Sequence, residues 1–562
     1  MAPGSFIDSA TTSWEARGAA FLCGIVLHLA VFRRGEWDLQ AAKIAASAVL
    51  TYAAMTASLF LYGFPADGDG VPSLRAASGA AGALFVSALA GLYGSMLVYR
   101  AVFHRLRRFP GPFAARLSNF YQASLYWRTH RLDLEAQKLH QIYGDIVRIG
   151  PNELSINDPK ALYAIHSSSS PCTKGPWYDG TMYPCISLNV IREHEYHAQR
   201  RKAWDLAFSS KALRGYEPRV AYYTDLLLKQ IQSRAGQPVN VTDWFNFYAF
   251  DVMGSLSYSE SYGMLQRGEK HPFITTLHGS LKAIGLFSHL DWLFPIAKAT
   301  PILNREYTAF WSFVKDQAEK RIKAKPETPD VFSFLLDDYN ARPNRTCQDR
   351  LNLYGDAYLI TIAGSDTTSA ALTFLFFELC THPDALRKLR SEVDSFYREK
   401  DTLTDYDDLH KLKYLQACIN EAMRLHPAVP RGFQRMTPSE GLQVGDYFIP
   451  GNTIVQVPLQ TMVTDERWFP RPEEFIPERW TTRHDELVRD ASAFAPFSIG
   501  VFSCVGKQLA LMEVRYVASQ IVRRFEFGLA AGPQAADAFR AGTTEAITVV
   551  PAPLEIVFKV RS

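Results

Sequence analysis

Cys504 lies in Phe497-Ser498-Ile499-Gly500-Val501-Phe502-Ser503-Cys504-Val505-Gly506, and an apolar-periodic stretch follows to about Ile521. A thiolate that ligates a metal needs N–H groups to stabilise its charge and room for whatever the metal carries. Gly500 permits the unusual dihedrals of a tight loop, and Gly506 allows a following helix to approach a flat group closely. The start of that helix aims free N–H groups and a positive dipole end at the sulfur, which is expected to lower the thiol pKa. The other six of the seven cysteines (Cys23, Cys172, Cys185, Cys347, Cys380, Cys418) show no CxxC or other paired spacing. An odd, sparse set argues against a disulfide framework and for a reducing compartment. These six are read as small buried hydrophobes.

A second group able to do chemistry sits in an apolar stretch of helical spacing from about Arg350 to Cys380, ended by His382-Pro383. In its middle is Ala363-Gly364-Ser365-Asp366-Thr367-Thr368. Glycine costs a helix about 1 kcal/mol, and a threonine hydroxyl can bond the carbonyl four residues back, here Ala363, distorting the turn. The expected result is a local groove in the helix wall with a carboxylate and a hydroxyl beside it.

The cysteine stretch resembles the heme-binding signature of the cytochrome P450 family, Phe-x-x-Gly-x-Arg-x-Cys-x-Gly. Phe497, Gly500, Cys504 and Gly506 are in register, and Phe502 stands where the family usually has arginine. The resemblance implies that Cys504 is the axial ligand of a heme iron, a ligand that favours O–O cleavage. It further implies that Asp366 and Thr367 are the proton-delivering acid–alcohol pair, with Ala363 and Gly364 forming the wall beside the cofactor. The missing arginine normally contacts a heme propionate. His197 and Arg201, in His197-Ala198-Gln199-Arg200-Arg201, resemble the family's Trp-x-x-x-Arg helix, and Arg435 matches a second propionate contact. The run Arg200-Arg201-Lys202 is a candidate docking face for an acidic reductase. Glu421 and Arg424 share one helix face, and the resemblance adds Arg479, of Pro477-Glu478-Arg479-Trp480, as a third, structural partner.

By that resemblance the activity is monooxygenation of a hydrophobic small molecule, with O2 and with electrons from NADPH through a separate reductase. The chain has no Gly-rich nucleotide fingerprint of its own. Trp177, Tyr178, Met182, Leu188, Ala428 and Val429 are expected at the pocket. The layout further resembles fungal secondary-metabolism members, tryprostatin-hydroxylase-like proteins among them. The rival readings are an isomerase or peroxygenase on the same fold, against which the intact Asp366-Thr367 pair argues, and a non-catalytic membrane heme or lipid binder.

These groups must be positioned by a chain of 562 residues, 47% hydrophobic, long enough for a large core. With 60 basic against 57 acidic residues, nothing calls for a nucleic-acid partner. Three apolar runs open the chain, roughly 18–32, 41–64 and 78–99, the first short for the about 20 residues of a spanning helix. Arg33 and Arg34 stand where a signal peptide would be cleaved, so an anchor is preferred. Arg33, Arg34 and Lys43 flank the first connection, Asp67 and Asp69 the second, and Arg100, Arg105, Arg107 and Arg108 follow the third. The positive-inside rule then leaves the N-terminus lumenal and the rest after residue 99 cytosolic. Sequons at Asn240 and Asn344 would contradict this if glycosylated.

The expected organisation is a lumenal tail (1–17), an anchor of about three transmembrane helices in membrane lipid, endoplasmic reticulum by preference (18–99), a basic Pro-Gly-Pro hinge (100–112) and one heme-thiolate domain (113–562). The expected fold is mainly α (α+β), with a long central helix and small β-sheets.

Overall fold

The computed structural model describes residues 13–62, 73–182, 184–399 and 406–561. The first twelve residues of the tail, the acidic loop with Asp67 and Asp69, and the Met182 side chain lie outside the described residues. The chain forms two compact units. One holds the residues up to Tyr121 together with Arg148–Asn152 and His289–Asn304, so it runs past the Pro-Gly-Pro segment; the other holds the remainder.

In the first unit, α1 (Trp14–Leu27), α2 (Ala41–Tyr62) and α3 (Leu74–Val98) are the cores of apolar helical stretches of 19, 25 and 30 residues. Each is long and apolar enough to cross a membrane. The first run is longer than its apolar residues suggested, because the Ser13 side chain caps Ala16 and adds a polar turn. Small residues let α1 and α3 approach closely. A Cβ on Gly24 would lie 1.9 Å from the Ala88 carbonyl oxygen, and one on Gly91 would lie 1.9 Å from that of Phe21. Polar ties join the helices as well: His28 with Ser95 at 2.8 Å, and Tyr52 with Ser78 at 2.7 Å. Pro110-Gly111-Pro112 is held by a hydrogen bond from the Arg148 amide to the Pro110 carbonyl, 2.7 Å.

The second unit is mainly helical. Its relevant helices are α4 (His194–Ala207), α5 (Val241–Tyr258), α6 (Pro272–Phe287), α7 (Cys347–Thr381), α8 (Lys413–Leu425) and α9 (Lys507–Arg524). A capping box between Thr346 and Asp349 starts α7, and Pro383 disfavours helical geometry at His382 and so ends it. This helix is also apolar enough to span a bilayer, but most of it is buried in the core, where α5, α8 and α9 pack on it. α7 runs unbroken through Gly364.

The strands are short. Glu153–Ile156 (β1) pairs in parallel with Ile454–Gln456 (β5). On its other side β5 pairs antiparallel with Arg435–Met436 (β4), which pairs antiparallel with Thr173–Lys174 (β2). A second sheet has the order Pro238–Asn240 (β3), Glu555–Val560 (β7), Phe525–Leu529 (β6).

Candidate active site

The Cys504 loop is built by backbone geometry. The Cys504 amide donates to the Phe497 carbonyl at 2.9 Å, and the Ser503 amide to that of Gly500 at 3.0 Å. Gly500 has φ +72°, and a Cβ there would lie 2.1 Å from the His166 carbonyl oxygen, so both conformation and crowding demand glycine. Gly506 differs, because an added Cβ would make only ordinary contacts with Phe208 and the Cys504 sulfur. The protein's own packing therefore does not explain this glycine. Arg201 steadies the loop by donating to the Ser503 carbonyl at 2.9 Å, while its Nε is held by Asp205 at 2.7 Å.

Cys504 is solvent-exposed and lines a cavity of about 740 Å³. Desolvation by the protein packed around it still pushes its thiol pKa up. The Gly506 and Lys507 N–H groups and the charges of Arg201 and Lys507 pull the other way, as expected for a helix start, but without reversing the shift. A bound metal would supply the missing charge, since a coordinating thiol is deprotonated outright. Of the six other cysteines, Cys172, Cys185 and Cys418 are buried as expected and Cys380 nearly so; Cys23 and Cys347 are exposed and do not fit that reading.

Ala363, Gly364, Asp366 and Thr367 of α7 line the same cavity. The Thr367 hydroxyl donates to the Ala363 carbonyl at 2.7 Å, which α7 accommodates without a break. A Cβ on Gly364 would lie 2.6 Å from the Met253 sulfur, so the missing side chain leaves room both for Met253 of α5 and for the cavity that Gly364 lines. Asp366 accepts from His278 Nε2 of α6 at 3.0 Å and from the Asn246 amide of α5 at 3.3 Å. Neither partner is evident from sequence, since both lie far from Asp366 along the chain.

Cationic side chains crowd another part of the cavity. His197 is buried, and burial together with Lys174 and Arg201 lowers its pKa to about 3, so it is neutral. Arg435 is buried, with Nη1 donating to the Gln434 carbonyl at 2.8 Å and Nε without a partner among the described residues. Lys174, missed in the sequence for want of any motif, joins them. The expected basic face at Arg200-Arg201-Lys202 is not formed. Arg200 points inward to an ion pair with Asp356 of α7, Arg201 is half-buried, and Lys202 alone of the three is exposed.

Trp177, Tyr178, Leu188, Ala428 and Val429 line the cavity, with Tyr307, Phe310, Trp311 and Tyr358 in addition. Outside it, Glu421 accepts from Arg424 at 2.9 Å, Arg479 at 3.0 Å and Trp480 at 2.8 Å. Glu421 and the two arginines are fully buried. The remaining arginine N–H groups reach backbone carbonyls of Val463, Pro470, Pro472 and Leu487.

The donor set suits a flat cofactor carrying a metal and acidic substituents. A thiol and a glycine with no packing role face the cavity, and buried cations without a carboxylate partner stand beside them. The family profile described as cytochrome P450 matches residues 110–557. The cytochrome P450 monooxygenase FCK2 of Fusarium pseudograminearum is 49% identical over 96% of this chain and 97% of its own length. Tryprostatin B 6-hydroxylase of Aspergillus fumigatus is 40% identical over 79% of each chain. The crystal structure of the cytochrome P450DA heme domain shares the fold, with a TM-score of 0.65 at 19% identity over 81% of this chain and 98% of that one. Family profile, relatives and fold thus agree, and the chain belongs to the cytochrome P450 family as a monooxygenase.

Proposed function

We propose that this monooxygenase oxidises a hydrophobic, aromatic-bearing small molecule in fungal secondary-metabolite biosynthesis, with Cys504 as the thiolate ligand of its heme. The observation that carries the reading is that Cys504 and the Asp366–Thr367 pair open on one cavity. When bound, heme supplies the centre at which O2 is reduced and one oxygen atom enters the substrate. The family draws its electrons from NADPH through a partner reductase.

The chain's own residues have separable tasks. Gly506 gives the cofactor room, and the N–H groups of Gly506 and Lys507 steady negative charge on sulfur. Thr367 holds a proton at its hydroxyl, and Asp366, bridged to half-exposed His278, replenishes it from the surface. Phe497 anchors the cysteine loop through its carbonyl, and Arg435, His197 and Arg201 flank the cofactor's acidic edge. The Glu421–Arg424–Arg479 cluster holds the segment leading to that loop. The aromatic walls suit a flat or ring-bearing substrate, in keeping with relatives named tryprostatin B 6-hydroxylases.

The three apolar helices would anchor the protein in the endoplasmic reticulum membrane, with the basic segment before Pro110 and the heme domain beyond it in the cytosol.

The direct test is Cys504→Ala. The reduced, CO-bound protein should lose its thiolate-type absorption. A variant that keeps that band assigns the ligand elsewhere.

A further inference from the structure

Phe502 occupies the signature position at which the family uses an arginine, yet its ring lies against two cations and a neutral imidazole. Lys174 Nζ lies 4.4 Å from the ring centroid and Arg435 Cζ 5.1 Å, while the His197 ring packs edge-on at 4.6 Å. The backbone enforces the meeting, because Lys174 and Arg435 are register partners across β2 and β4. Lys174 is 4% exposed and Arg435 2%. Like charges placed directly opposite in a ladder repel, and buried charges are normally paired.

No carboxylate pairs with either cation among the described residues. Lys174 donates to the Leu188 carbonyl at 3.3 Å, and Arg435 to that of Gln434. Burial, with Arg435 and Arg201 nearby, holds the Lys174 ammonium well below the usual lysine range. Without an anion beside it such a lysine tends to lose its proton, whereas an anion would hold the ammonium, and both side chains line the cavity that Cys504 faces.

We propose that Lys174 replaces the absent signature arginine: its ammonium, beside the Arg435 guanidinium, holds a propionate carboxylate of the heme. Phe502 fills the vacated volume and aims the ammonium through its ring face. An arginine at position 502 would instead press a third cation onto two that are already opposed, so lysine at 174 and phenylalanine at 502 form an exchange pair. This rests on the heme-thiolate reading of Cys504.

The test uses purified holoenzyme and the variants Lys174→Met, Lys174→Gln, Lys174→Arg and Lys174→Met/Phe502→Arg. Heme transfer to apomyoglobin and the propionate bending band in resonance Raman spectra are recorded for each. Loss of a hydrogen bond to a charged group should speed heme transfer by about tenfold or more in the Met and Gln variants. The propionate band should shift while the thiolate-type CO spectrum persists. Lys174→Arg, and Phe502→Arg added to Lys174→Met, should return transfer toward the wild-type rate. Wild-type transfer with an unshifted band in Lys174→Gln overturns the proposal, as does fast transfer that neither arginine restores. Absence of a thiolate-type spectrum from the wild type would strike at Cys504 instead.

Discussion

At the scale of single residues, Asp366 is tethered rather than free. Its carboxylate is engaged by His278 and Asn246, and the neighbouring Thr367 hydroxyl is turned to the Ala363 carbonyl. On the proposed function, proton delivery needs the hydroxyl to leave that carbonyl and the carboxylate to loosen from its partners. Thr367→Ala should therefore keep heme but spend NADPH electrons on hydrogen peroxide, measured as peroxide formed per NADPH oxidised with a turnover substrate. Product matching NADPH in that variant would take Thr367 out of the proton path. Asp366→Asn should slow product formation by about 10²-fold or more, the usual worth of a positioned acid–base group, with the CO spectrum unchanged. An unaffected rate would leave Asp366 a packing role only. Cys504, Asp366 and Thr367 were legible because short-range spacing carries them. His278, Asn246 and Lys174 were not, because each reaches the cavity through tertiary pairing that leaves no local pattern.

At the scale of elements, long-range order was legible where one helix carried it. The apolar periodicity from Arg350 to Cys380 became α7, Cys347–Thr381, since a capping box and a proline mark its ends. Gly364 lines the cavity as expected, but the close approach of the Met253 side chain to it, from α5, was not legible, because it depends on tertiary packing. Two-residue strands such as β2 and β4 have no period to detect, so the pairing of Lys174 with Arg435 was invisible. The Glu421 cluster joins scales, since a spacing of three predicted its first ion pair, the family resemblance added Arg479, and the fold supplied Trp480. Glu421→Ala would strand two buried guanidinium groups. Removing one partner of a buried pair costs about 3–5 kcal/mol, so its denaturant midpoint should fall markedly, with heme lost in the same transition. Stability within 1 kcal/mol of wild type, a rough threshold below the usual cost of a stranded charge, would mean that the arginines find other partners.

At the scale of the whole molecule, the open question is which side of a membrane each segment faces, and the two sequons make it answerable. Asn344 is exposed, in the turn just before the cap of α7, where a glycosyltransferase would reach it. Asn240 is a poor acceptor, since its amide donates to Asp243 at 2.8 Å and its backbone pairs with β7. The loop charges that the sequence offers, Arg33 and Arg34 in the connection before α2 and Arg100, Arg105, Arg107 and Arg108 after α3, favour the cytosolic side for both, and the N-terminus is lumenal only if α1 spans. The 19-residue length of the α1 stretch and its close packing on α3 support spanning. Expressed in a fungal host, the protein should therefore show no endoglycosidase-sensitive mass at Asn344, while an acceptor sequon on an N-terminal extension should be modified. A glycan on Asn344 would put the heme domain in the lumen, out of reach of a cytosolic reductase. An unmodified extension would mean that α1 lies along the membrane surface or that only two helices cross.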